Sequence, residues 1–123
     1  MTPNAFETWM RQEQAAVEAA LQAWVPADAP AGLGVAMRYG VLDGGKRLRP
    51  LLVLATASLF GADRAMAIRV GTAIEAIHVY SLIHDDLPCM DDDEMRHGKP
   101  TVHRAFDEAT AVLAGDALHA FAF

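Results

Sequence analysis

Little in this chain can cross-link it, draw it to nucleic acid or hold it in a membrane. A single cysteine, Cys89, excludes an internal disulfide framework and fits a reducing compartment. Ten Lys and Arg against sixteen Asp and Glu leave a formal charge of −6, which gives no electrostatic case for nucleic acid. No apolar run approaches the ~20 residues of a membrane span, and the N-terminus lacks the apolar core of a signal peptide. The expectation is a cytoplasmic protein with no membrane insertion. Aromatic residues make up only 7% and β-branched clusters are few, while hydrophobic residues, many of them alanine, reach 53%. That balance points to packed helices, and 123 residues are enough to bury one core.

Helix signals recur along the chain. Thr2-Pro3 offers an N-cap followed by proline at the first helical position, and Phe6, Trp9, Met10, Val17, Leu21 and Trp24 form a partial stripe ending before Pro26. Leu33 to Leu42 reads as a second helix, stopped by Asp43-Gly44-Gly45. Pro50 is placed to begin a third, whose stretch from Leu51 to Phe60 is so apolar that burial on all sides is expected. Asp63 caps a long helix running from about Arg64 into an acidic stretch, and a last helix follows Asp107. Its pattern breaks off at Phe123, so the chain reads as interrupted.

Two stretches carry chemistry. The first is Gly44-Gly45-Lys46-Arg47-Leu48-Arg49-Pro50, three cations in four residues at a helix N-terminus. The macrodipole there already favours anions, so the segment suits a phosphate, although such a loop alone is commonly just solvated. The second is His84 to Glu94, with five aspartates and a glutamate in eleven residues. Carboxylates this close repel one another unless a cation offsets them, and hard oxygen ligands suit Mg²⁺, Mn²⁺ or Ca²⁺. A buried helix leads into this stretch, with His78, Ser81 and Asp85 at i, i+3 and i+7 on one face. Asp85 and Asp91 would lie on different sides of a straight helix, whereas Asp85 and Asp92 would align. Pro88 must kink the helix, and a bulge over Leu87 to Met90 could return Asp91, so both pairings stay open. Arg96, His97 and Lys99 then lie in a Gly/Pro-marked loop, where they could neutralise the carboxylates or grip a phosphate.

Taken together, Gly-Gly-Lys-Arg-Leu-Arg-Pro, Asp85-Asp86 with four residues before Asp91, and Arg96 followed by Gly-Lys-Pro-Thr resemble the trans-isoprenyl diphosphate synthase family. The likeness is to the N-terminal part of the bacterial farnesyl diphosphate synthase (geranyltranstransferase) type. It implies an all-α fold, an antiparallel helical bundle of the isoprenoid synthase type around a deep cavity, as a homodimer. Residues 1–123 would form the N-terminal portion of a single polyprenyl synthase domain. The implied reaction condenses isopentenyl diphosphate with dimethylallyl or geranyl diphosphate, giving farnesyl diphosphate with Mg²⁺ (or Mn²⁺) as cofactor.

Carried over by motif, Asp85 and Asp91 would bind metal, Asp86 would support them, and Arg96 would hold the allylic diphosphate. Lys46, Arg49, His78 and His97 would hold isopentenyl diphosphate. His97 departs from the arginine usual there, so its contact is the least secure. Tyr80 and Ser81, just before the aspartates, would set product length, with Tyr80 about 7.5 Å deeper along the helix at 1.5 Å per residue. The family's second aspartate-rich motif is absent, so these residues alone should not turn over substrate.

Two rival readings belong to other classes. One is a metal- and diphosphate-binding module or regulatory subunit. The other is an HD-type phosphohydrolase, which would need His84 on the metal and would leave the Gly-Gly-Lys segment without a task. Cys89 reads as filler, and His103 and His119 as structural or exposed.

Overall fold

The structure is a computed structural model that describes residues 1–42 and 44–123. Helix α1 (Pro3–Trp24) starts as its sequence dictates, with Thr2 Oγ1 accepting from the Ala5 amide at 3.1 Å and proline in the first turn. Its stripe is only partly covered: Val17 and Leu21 are buried, but Phe6 and Trp24 reach solvent. A 3₁₀ turn (Pro30–Gly32) leads into α2 (Leu33–Val41). Asp43, expected to help stop α2, lies outside the described residues.

Helix α3 (Leu48–Leu59) begins two residues before the expected start. Arg47 caps it with left-handed backbone (φ 56°), and Pro50 sits inside the first turn, where its missing N–H breaks no helical bond. The expectation of burial on all sides is overturned. Only Pro50, Leu51 and Leu54 are buried, while Leu52 is 58% and Phe60 83% exposed. The physical reason is that α3 packs mainly on α4, with α1 beside it, which leaves its outer face in solvent.

Helix α4 (Arg64–Asp85) is the axis of the fold, packed by α6, α3, α1 and α2. Asp63 caps it, accepting from the Met66 amide at 3.3 Å. An 18-residue window of α4 reaches mean hydropathy 1.3, so by length and composition this helix could cross a membrane, and the expectation that no stretch comes near a span was too strong. Its packed neighbours and its buried Glu75 account for that apolarity as a core helix.

A hairpin follows, β1 (Met95–Arg96) against β2 (Lys99–Pro100), with Arg96 opposite Lys99. His97 and Gly98 both have positive φ, the backbone of a type I′ turn. A one-turn helix α5 (Val102–Ala105), not expected from the sequence, precedes α6 (Glu108–Ala122). Asp107 Oδ1 caps α6 by accepting from the Thr110 amide at 2.6 Å. Gly115 is required where α6 crosses α4, since a Cβ there would stand 2.2 Å from His84 Nε2. The core joins Val17, Leu21, Val41, Leu54, Ile83 and Leu118, each worth about 1.5–3 kcal/mol when fully buried. The fold class is all-α, as expected, with only the small hairpin as sheet among the described residues.

Candidate functional site

A cleft of about 370 Å³ opens where the α2–α3 loop, α4 and the hairpin converge. Its apolar wall is Val79, Leu82 and Ile83 of α4, and its rim carries Lys46, Arg49, His78, Arg96, His97 and Lys99. All five residues expected to hold diphosphate therefore line one space. On α4 the residues that share this face are His78, Leu82 and Asp86, four apart, with Glu75 and Val79 beside them. Ser81 and Asp85 do not line the cleft. Ser81 Oγ instead donates to its own helix, to the His78 carbonyl, at 2.6 Å.

The three cations of the glycine loop separate by burial. Arg47 turns inward and is 4% exposed, donating from Nη1 to Glu75 at 2.9 Å and from Nε and Nη2 to Glu18 at 3.0 and 3.1 Å. Burial alone would lower its pKa, but the hydrogen bonds to Glu18 and Glu75 override it and raise the value. Lys46 and Arg49 stay exposed. Gln14 fixes the loop by donating to the Lys46 carbonyl at 2.9 Å. Arg49 Nη1 lies 3.2 Å from His78 Nε2. Burial first, and the Arg49 charge second, push the His78 pKa below its usual value, with Glu75 acting against them.

Arg96 makes a two-pronged bond to Asp86, Nε to Oδ2 at 2.8 Å and Nη2 to Oδ1 at 2.7 Å. Asp86 is 3% exposed, and its hydrogen bonds raise the Arg96 pKa. Arg96 Nη1 has no protein partner among the described residues.

Helix α4 ends at Asp85, before Pro88, so no kinked helix is needed. The chain loops back instead, the Asp91 amide donating to the Asp85 carbonyl at 2.7 Å and the Asp93 amide to the Asp86 carbonyl at 3.1 Å. This returns Asp91 beside Asp85, while Asp92 takes left-handed backbone (φ 54°). Neither the Asp85 nor the Asp91 carboxylate makes a hydrogen bond or ion pair among the described residues. No group of three or more His, Cys, Asp or Glu among the described residues could hold a metal by itself. One or two carboxylates sharing an ion with phosphate oxygens is how Mg²⁺ is usually held, so this donor set fits Mg²⁺ better than a cation needing a full protein cage.

Tyr80 faces the other way, toward α6, with its ring edge-on to His84 at 5.6 Å and His119 at 4.9 Å. His84 Nε2 lies 3.0 Å from the Val112 carbonyl and 3.7 Å from Asp116, so it is engaged with α6 and not with the acidic turn. His103 is buried and His119 exposed, as expected. Cys89 is exposed. Sequence reasoning passed over Glu75 and Tyr39, which also line the cleft that Lys99 reaches. The available signal for Glu75 was a carboxylate within an apolar helix, three residues before His78.

The sequence model of the polyprenyl synthetase family matches residues 31–123. The chain is 49% identical, over its whole length, to the farnesyl diphosphate synthase of Geobacillus stearothermophilus, and covers 42% of it. It is 52% identical over 96% of its length to geranylgeranyl pyrophosphate synthase 11, chloroplastic, of Arabidopsis thaliana, covering 33% of that protein. Its fold superposes on the crystal structure of an FPP/GFPP synthase from Zymomonas mobilis with a TM-score of 0.93 and 55% identity, over 98% of this chain and 44% of that one. The chain thus spans less than half the length of these relatives.

Proposed function

Because the chain belongs to the polyprenyl synthetase family, we propose that it forms the N-terminal portion of a prenyltransferase. The enzyme would join isopentenyl diphosphate to dimethylallyl or geranyl diphosphate, with farnesyl diphosphate as product. One observation carries the reading: cations without carboxylate partners face one cleft, and unpaired carboxylates stand next in the fold to Asp86, which lines it. Among the described residues, Lys46 and Arg49 have no ion pair, and neither do Asp85 and Asp91. One diphosphate can be gripped directly by cations, the other through a divalent ion.

In this proposal Lys46, Arg49, His78 and His97 hold isopentenyl diphosphate. Arg96, through its unpartnered Nη1, reaches the allylic diphosphate, and Asp86 positions Arg96. The allylic C–O bond breaks and its electron pair leaves with diphosphate. The double bond of isopentenyl diphosphate attacks the resulting carbocation, a C–C bond forms, and a proton is lost. Fixed cations at the leaving group stabilise the charge that develops there. Mg²⁺, or Mn²⁺, held by Asp85 and Asp91 would add to that neutralisation. Val79, Leu82 and Ile83 make the cleft wall apolar and help exclude water, which would quench the cation. Tyr80, with Ser81 beside it, would limit product length, its ring held between His84 and His119. A cytoplasmic homodimer belongs to the same proposal.

A second reading, a module that binds metal and diphosphate without turnover or serves as a regulatory subunit, would use the same cations and carboxylates. The HD-type reading loses its ground, because His84 is turned to the Val112 carbonyl.

Calorimetry with isopentenyl diphosphate, in chelator and then in Mg²⁺, tests the assignment. Arg49→Gln should weaken binding in chelator by about tenfold, the scale of one charge-assisted hydrogen bond, whereas Asp85→Asn should remove only the Mg²⁺-dependent gain for an allylic diphosphate. Binding indifferent to Arg49→Gln would overturn the site. Farnesyl diphosphate made by the 123-residue polypeptide alone would overturn the second reading.

A further inference from the structure

We propose that Tyr39 is a positioning residue for diphosphate binding, acting through the hairpin that carries Arg96, His97 and Lys99. The inference rests on the cleft being an anion site, as argued above. A hairpin with two residues per strand cannot hold its own orientation in water, and His97 sits at its exposed turn. Its placement must come from anchors on the body of the protein.

On the β1 side the anchor is the Arg96–Asp86 pair. On the β2 side it is Tyr39, the residue of α2 that lines the cleft beside Gly40. The Tyr39 hydroxyl donates to the Pro100 carbonyl at 2.7 Å. In return Lys99 Nζ donates to the Tyr39 carbonyl at 2.6 Å and stands 4.2 Å from the centre of the Tyr39 ring. Phe106 meets the same ring edge-on at 5.4 Å and 83°, fixing its plane. With the hairpin tied on both sides, the His97 imidazole lies over the glycine loop. A Cβ on Gly44 would come within 3.1 Å of His97 Cδ2.

The clasp also has an electrostatic consequence. A lysine ammonium can be held by a carboxylate, which cancels its charge, or by a carbonyl and an aromatic face, which do not. Tyr39 supplies both neutral acceptors. Lys99 therefore lines the cleft fixed in place with its charge uncancelled, and no carboxylate pairs with it among the described residues. The negative groups that line the cleft, Glu75 and Asp86, are already bonded to Arg47 and Arg96. Tyr39 thus orients His97 and keeps Lys99 available as a further source of positive potential for a diphosphate.

The test uses inorganic diphosphate as probe, with chelator present so that the aspartates contribute no metal, and reads Kd by calorimetry. Tyr39→Phe keeps the ring and loses the bond to Pro100. It should raise Kd roughly 3- to 10-fold, the worth of one hydrogen bond, while leaving the urea midpoint close to that of the wild type. It should also shift the His97 ring signals in NMR, although His97 does not touch Tyr39. Lys99→Met should raise Kd by at least as much. Tyr39→Leu combined with Lys99→Met should be no worse than the stronger single change, because both break one clasp. If Tyr39→Leu does not fold, Tyr39→Phe and Lys99→Met decide the matter alone. Wild-type Kd values retained by Tyr39→Phe and Lys99→Met, while Arg49→Gln weakens binding about tenfold, would overturn the clasp and leave the anion site standing. Failure of the wild type to bind diphosphate would overturn the anion site itself.

Discussion

Replacing Arg47 by methionine should cost about 3–5 kcal/mol of stability, the range for removing one partner of a buried ion pair. Methionine can fill the aliphatic volume but supplies none of the donors that reach Glu18, Glu75 and the Val41 carbonyl. The two carboxylates are not equivalent. The Glu18 side chain is 34% exposed and can turn to water, whereas that of Glu75 is 4% exposed and would keep a charge with no counter-ion. The stranded Glu75 should therefore dominate the loss. A chain of this length has in all about 6–18 kcal/mol, so urea denaturation at neutral pH can register the change. Adding Glu75→Leu to Arg47→Met should recover most of it, since a buried pair replaced whole by apolar groups is often neutral. A loss below about 1 kcal/mol, or a double variant no more stable than the single one, would refute the argument.

Two further perturbations test other joints. The His78 pKa lies below its ordinary value, with burial as first cause, so the unfolded chain takes up a proton at higher pH than the folded one. Stability should then fall as pH drops below about 6.5, and His78→Gln should flatten the urea midpoint between roughly pH 7 and 5; an unchanged slope would contradict this. Gly115→Ala gains up to about 1 kcal/mol in helix propensity but sets a Cβ 2.2 Å from His84 Nε2. Overpacking of about 1–3 kcal/mol should outweigh that gain, and His84→Ala should reverse the sign. A raised melting temperature for Gly115→Ala alone would show that the His84 ring yields freely.

Helix existence was legible wherever a cap announced it: Thr2, Asp63 and Asp107 each accept the amide their side chains predict. Burial was less legible. The apolar run from Leu51 to Phe60 says how little water that helix tolerates, but not which neighbours reach it, and these are chiefly α4 and α1. The site residues could be named from their motifs, yet their grouping could not. Whether Arg47 faces a ligand or the core depends on Glu18 and Glu75, which lie 29 and 28 residues away. The return of Asp91 to Asp85 depends on the chain leaving the helix at Asp86, a backbone event that helical spacing cannot express.

That event explains how adjacent aspartates take different duties. On a helix, neighbours differ by about 100° in direction, so Asp85 and Asp86 cannot both face the cleft. Asp86 faces inward, is buried, and is consumed by Arg96. Asp85 keeps its carboxylate unpaired among the described residues, and the looped chain brings Asp91 back beside it. Had the helix continued in register, the acidic residues would have been spread along its length, with Asp85 and Asp91 on different sides. Ending it at Asp85 uses one carboxylate to fasten the cationic hairpin and leaves Asp85 and Asp91 as the pair proposed for a divalent ion. The same break that terminates α4 thereby sets the Arg96–Asp86 pair against the cleft and leaves Asp85 and Asp91 beside each other, unpaired among the described residues, which is the arrangement the proposed two-diphosphate site requires.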